Sequence, residues 1–118
     1  MNGLSSIYAD FILGTRYDQL KQEVILQAKK LILDLVGVSL AGYKLMEFPR
    51  LVVSYMESLG GSAEASIFQT KKKFPAVNAA LANAACAHAL DMDDGHRFAA
   101  LHPGTVIIPT ALAATELS

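Results

Sequence analysis

All three histidines of the chain, His88, His96 and His102, fall in one short window, together with three of its six aspartates, Asp91, Asp93 and Asp94. The run reads His88-Ala-Leu-Asp91-Met-Asp93-Asp94-Gly95-His96, then Arg97 to Leu101, then His102-Pro103-Gly104. Carboxylates beside imidazoles form the pairs that tune general acids and bases. Buried carboxylates are costly unless paired or hydrogen-bonded, so a polar cluster between apolar stretches points to function. The other reading of the window is a helix C-terminus followed by a solvated acidic turn.

Within the window, Asp91 is expected to end a helix. It shares a face with His88 and Asp94 through i+3 spacing. Asp93 then points elsewhere and caps the turn. His102 is held rigidly, because a proline restricts the residue before it. His88, taken alone, reads more simply as a satisfied core histidine. His, Asp, Asp and His are also competent metal ligands. Their spacing matches no closed zinc signature, and Arg97 stands where a third aspartate would complete a diphosphate-binding motif, so no metal is expected. Cys86 is the only cysteine and reads as a small core residue. It excludes an internal disulfide framework and an all-cysteine zinc or iron–sulfur site.

The elements that position this window are helical. Leu4, Ile7, Tyr8, Phe11 and Ile12 share one helical face, and Gly14 ends that element. A longer helix is predicted from near Asp18 to about Ala41. Its stretch from Leu31 to Leu40 is apolar nearly all round, broken by Asp34, and is expected to be buried all round. Pro49 fits the first turn of a third helix that Gly60-Gly61 stop. Ala65 to Gln69 reads as a short extended piece, and Lys71-Lys72-Lys73 as a solvated basic turn. Pro75 opens an alanine-rich helix reaching about Leu90. A last helix starts at Pro103 or Pro109 and reaches Glu116. The class is all-α, as one domain over residues 1–118.

Composition narrows the function. The net charge is −1 and the pI about 6.3, against a nucleic-acid surface, which needs a basic excess. Hydrophobic residues make up 53% and charged residues 18%, an apolar balance for so short a chain. Apolar surface covered by something outside the sequence is therefore expected. Phe74 to Leu90 and Phe98 to Thr115 carry no Asp, Glu, Lys or Arg, but Asn78, Asn83 and His88 interrupt the first and His102, Pro103, Gly104 and Pro109 the second, so neither reads as a membrane span. The first residues show no basic n-region and no long apolar run, so no secretory signal is expected, and a cytoplasmic setting is expected with it.

The phrase Ala79-Ala80-Leu81-Ala82-Asn83-Ala84-Ala85-Cys86-Ala87-His88-Ala89-Leu90-Asp91-Met92-Asp93-Asp94-Gly95-His96 resembles the hallmark of the MmgE/PrpD family. So do His102-Pro103-Gly104 and Pro109-Thr110-Ala111-Leu112-Ala113 with Glu116. Leu31 to Gly42 is similar to the family's first long helix. The resemblance implies the N-terminal part of a large helical domain in a longer, homodimeric, cofactor-free lyase or isomerase. Such enzymes act on small di- or tricarboxylates by dehydration, decarboxylation or epimerisation. It places the motif aspartate on Asp91 and the His-Pro histidine on His102. Asp94 and His96 join them as candidate catalytic groups, and Arg97 and His88 as candidate substrate-binding groups. Gly95 stands where the family often has threonine, so a substrate-binding hydroxyl is missing there. The remaining acid/base groups are expected from the rest of the enzyme chain, leaving this portion inactive alone. The alternative is a non-catalytic helical interaction module, or a remnant of such an enzyme.

Overall fold

The computed structural model describes residues 3–117. Among these, the chain forms five α-helices, one 3-10 turn and one small two-stranded sheet. It divides into two compact units, Met1–Lys30 and Leu31–Ser118. No helix of the described residues is long and apolar enough to cross a membrane.

The first unit holds α1, Leu4–Gly14, and a 3-10 turn over Tyr17–Gln19. Thr15 closes α1: its hydroxyl donates to the Phe11 carbonyl at 2.6 Å, and its N–H to the same oxygen at 3.0 Å. The expected apolar face exists as a stripe but has no buried residue. Helix α2, Gln22–Leu45, starts in this unit and ends in the second.

In the second unit, the later part of α2 buries only Leu35, Ser39 and Gly42. These residues lie one turn apart on a single stripe. Burial all round is therefore not what this stretch shows. Leu33 is 76% exposed and Leu40 46%. The stripe is built from small residues for a reason. A Cβ on Gly42 would overlap the Cys86 carbonyl oxygen and lie 3.3 Å from the Ala89 Cβ, so only glycine permits this approach.

Helix α3, Glu47–Leu59, carries buried Pro49 in its first turn, where a missing N–H costs nothing. Gly60, with φ 62°, ends it as the sequence predicts. Strands β1, Ala65–Ser66, and β2, Lys73–Phe74, pair antiparallel with Ala65 opposite Phe74. Two lysines of the basic turn are tied by ion pairs. Lys72 Nζ lies 3.7 Å from Glu57, and Lys73 Nζ 3.1 Å from Glu116.

The centre of the unit is α4, Ala76–His88, packed on α5, Pro103–Leu117. Ala79, Ala82, Asn83, Cys86 and Ala87 are buried on α4 and Gly104, Thr105, Pro109 and Ala113 on α5, and the small side chains let the two helices pack closely. Val53, Met56, Ala65, Ile67 and Phe74 complete the core. Asn83 is buried inside it and fully used: its Oδ1 accepts from the Phe68 N–H at 2.9 Å, and its Nδ2 donates to the Ser66 carbonyl at 2.9 Å. A buried amide with both ends bonded fixes the register between α4 and the sheet. Glu116 does the same for the far end of α5, accepting from the Ser66 N–H at 3.0 Å and the Ser66 hydroxyl at 2.8 Å. The α4–α5 pair is thus anchored along its length, and the segment joining its two ends carries the histidine–aspartate window.

Candidate functional site

Helix α4 stops at His88, earlier than its alanine propensity suggests. The Asp91 N–H bonds back to the His88 carbonyl at 3.1 Å, closing a turn, and Asp91 then adopts a left-handed φ of 52°. Such a conformation is uncommon for a residue with a Cβ, though aspartate tolerates it better than most. From there the chain turns back through Asp93 and Asp94. It folds a short loop in which the His96 N–H donates to the Leu101 carbonyl at 2.8 Å. It then enters α5 through His102 and Pro103.

The fold brings together four of the window's side chains: His88, Asp91, Asp93 and His102. Asp93 is their centre. Its side chain has no solvent exposure. It accepts a hydrogen bond from the Thr105 hydroxyl, and the Nδ1 of His88 lies 3.1 Å from its Oδ2. The Nδ1 of His102 lies 3.3 Å from the same oxygen, within ion-pair distance. That nitrogen is buried and sits off the line of a formed hydrogen bond, with no other hydrogen-bond partner among the described residues. The two imidazoles meet edge to face, with centroids 5.0 Å apart and planes at 67°. On its other side, His102 presents Nε2 to Asp91 Oδ1 at 3.7 Å. Asp91 is itself 81% exposed along its side chain.

Burial by itself pushes the Asp93 carboxyl up, but the Thr105 hydroxyl and His88 outweigh it and hold the carboxyl below its ordinary 3.8. Asp93 is therefore an ionised carboxylate at neutral pH, sequestered beneath two imidazoles. Ligand atoms from His88, Asp91, Asp93 and His102 all lie within 4.8 Å of one another, so this is also the set that could hold a divalent cation.

The other candidates are placed apart from this centre. Asp94 turns to the start of α5, where its Oδ1 accepts from the Gly104 N–H at 2.8 Å. That is a capping contact, made to one of the unpaired donors of a helix start. The His96 Nδ1 accepts from the Ala99 N–H at 3.1 Å within its own loop. His96 and Arg97 line a shallow cleft with Gly95, Ala100, Leu101 and His102, so they border the site on the His102 side. Cys86 is buried in the core, and burial pushes its thiol up to about 12, far from a reactive thiolate.

The i+3 argument from the sequence takes the helix to Asp91 and extends its face to Asp94. Because it ends at His88, Asp91 and Asp94 do not share a face, and Asp93, expected to point elsewhere, is the residue the two histidines converge on. Thr105 was not singled out from the sequence. The available signal was its place in the first turn after His102-Pro103, one turn above the apolar seam of α5.

A mainly helical domain whose two central helices hold a carboxylate–imidazole cluster at their shared end is thus the class of protein this fold and site define. The profile of the MmgE/PrpD N-terminal domain matches residues 7–118, and the chain belongs to that family. It is similar to cis-aconitate decarboxylase of Aspergillus terreus, at 27% identity over 116 residues, covering 98% of this chain and 24% of the relative. The cis-aconitate decarboxylase of Mus musculus is 25% identical over 117 residues, with the same coverage of 98% and 24%. The chain spans about a quarter of the length of these curated relatives.

Proposed function

We propose that this chain is the N-terminal portion of a cofactor-independent lyase or isomerase that acts on small di- or tricarboxylates by acid–base chemistry. Family membership and the decarboxylase relatives support that reading. The observation that carries it is His102, with one ring nitrogen over a buried carboxylate and the other turned toward exposed Asp91.

Loss of carbon dioxide from an unsaturated tricarboxylate leaves its bonding electrons on carbon, and a positioned acid must protonate that carbon. Elimination of water asks for the same equipment in reverse, with a base for the C–H and an acid for the departing hydroxyl. An imidazole exchanging its proton at Nε2 serves either step. Asp91 orients that proton or a substrate hydroxyl. The cluster's carboxylates repel a polyanionic substrate, so cations must offset them, and Arg97 on the bordering cleft supplies one. Cis-aconitate is the first substrate to test. The remaining acid/base groups come from the rest of the enzyme, which assembles as a homodimer in the cytoplasm, and residues 1–118 alone are inactive.

The test is an assay of the full-length protein on cis-aconitate, 2-methylcitrate and iminodisuccinate, before and after exhaustive chelation. Turnover of one of these acids that survives chelation is expected. No turnover of any, or turnover by residues 1–118 alone, overturns the reading. Activity lost on chelation and restored by a divalent cation would put a metal on His88, Asp91, Asp93 and His102 instead.

A further inference from the structure

We propose that Asp93 is the positioning residue of the site: from beneath the imidazoles it sets the ring orientation and tautomer of His102, so that Nε2 is the working nitrogen. The inference rests on the acid–base reading above and adds a group to which that reading gave no role.

Four observations converge on Asp93. The first is burial. Asp93 is the one acidic or basic residue among the buried polar side chains of the described residues, beside Ser39, Asn83 and Thr105. A carboxylate placed there costs free energy unless its neighbours donate to it. The second is the identity of those neighbours. The Thr105 hydroxyl donates to it, and His88 and His102 both turn Nδ1 toward it. The capping task that an aspartate in this segment would ordinarily perform belongs to Asp94, through the Gly104 N–H. The adjacent carboxylates thus divide the work: Asp94 caps the backbone and Asp93 addresses the rings.

The third observation is the unsatisfied Nδ1 of His102. A buried polar nitrogen without a partner costs about 1–3 kcal/mol. The Asp93 oxygen is 3.3 Å away, so a small rotation of the ring gives that nitrogen its partner. An anion only accepts, so Nδ1 must carry the proton, and the lone pair of neutral His102 is left on Nε2. That nitrogen points to the exposed side, toward Asp91. The fourth is the edge-to-face contact with His88, which limits the ring from a second direction. A carboxylate behind a histidine that fixes its tautomer and aims its far nitrogen is the arrangement by which hydrolytic triads hold their base.

The experiment uses the full-length protein with 15N-labelled histidine. Long-range proton–nitrogen spectra of the neutral ring report which nitrogen carries hydrogen, and His102→Gln identifies the His102 signals by their disappearance. Wild-type His102 is expected to carry its hydrogen on Nδ1. In Asp93→Ala the hydrogen moves to Nε2 or divides between the two, and kcat falls on the order of 10²-fold with KM within a few-fold. Wild-type His102 protonated on Nε2 overturns the proposal, as does an unchanged tautomer or an unchanged kcat in folded Asp93→Ala. If Asp93→Ala does not fold, the wild-type spectrum still decides, and the isosteric Asp93→Asn is expected to lower kcat at least about tenfold. The spectra need no substrate, so the two readings fail separately. Nδ1–H on wild-type His102 without turnover of any carboxylate removes the proposed function and leaves the positioning. Turnover with Nε2–H on wild-type His102 does the reverse.

Discussion

Asp91 sits in a left-handed backbone conformation, φ 52°, and its side chain is 81% exposed. Strain that is not repaid by packing marks a residue kept for what its side chain does. Replacing it by glycine and by alanine separates the backbone from the carboxylate. Both substitutions remove the same contact, a 3.7 Å pair with His102 that is exposed on the Asp91 side. A pair of that kind contributes only about 0–1 kcal/mol. The two variants differ in the Cβ. A left-handed residue with a Cβ costs roughly 1–2 kcal/mol that glycine avoids. Glycine loses about 0.5–1 kcal/mol in backbone entropy in ordinary contexts, which offsets part of that gain. Asp91→Gly is therefore expected to be more stable than Asp91→Ala by up to about 1.5 kcal/mol and to fall within about 1 kcal/mol of the wild type. Both should lose activity to the same extent, on the order of 10²–10⁴ in rate. The assay is denaturant unfolding followed by circular dichroism, alongside steady-state kinetics of the full-length protein. An alanine variant clearly more stable than the glycine variant would refute the strained turn. A folded glycine variant with wild-type rates would refute the use of the carboxylate.

Gly104→Ala is expected to destabilise by about 1 kcal/mol, because its Cβ would lie 2.9 Å from Asp94 Cγ and displace the capping carboxylate. In an Asp94→Ala background the same change should be neutral or stabilising, and a double-mutant cycle by denaturant unfolding that shows no coupling would contradict the cap. Glu116 is held below its ordinary 4.5 by the Ser66 N–H and hydroxyl and by Lys73. A lowered folded pKa contributes stability that is present above the unfolded value and is lost as the pH falls through the folded one. Glu116→Gln should therefore flatten the stability–pH curve below about pH 4.5, where the wild type declines. Isolated residues 1–118 should bind an exposed-hydrophobe dye and self-associate, since Leu33 is 76%, Val77 79% and Phe98 92% exposed. Light scattering of a stable, dye-silent monomer would contradict this.

Much of the helical framework was legible because its punctuation is local. Gly14, Pro49, Gly60-Gly61 and Pro75 each act on the backbone where they stand, and the observed ends of α1, α3 and the start of α4 follow them. The sequence places the start of α2 near Asp18, four residues early, where a 3-10 turn over Tyr17–Gln19 intervenes. An all-round apolar surface shows what a helix can bury, whereas only the stripe of Leu35, Ser39 and Gly42 is buried here. The site was legible as a cluster, since residue types and proximity in sequence suffice for that. Its internal order was not, because it depends on where α4 stops. With α4 ending at His88 and a left-handed turn at Asp91, Asp91 and Asp93 join the histidines while Asp94 turns away to cap α5. The pairing of Asp94 with Gly104, and of Asp93 with Thr105, spans ten and twelve positions and leaves no periodic trace.

The most direct test of the acid–base account is the rate of folded His102→Gln in the full-length protein, with Lys72→Gln as the control. Among the described residues the Lys72 side chain makes only an exposed 3.7 Å pair with Glu57, so its loss should change neither rate nor fold. His102→Gln should keep the wild-type circular dichroism and melting curve while its rate on the carboxylate substrate falls on the order of 10²–10⁴. A folded His102→Gln protein turning over at the wild-type rate would contradict the account.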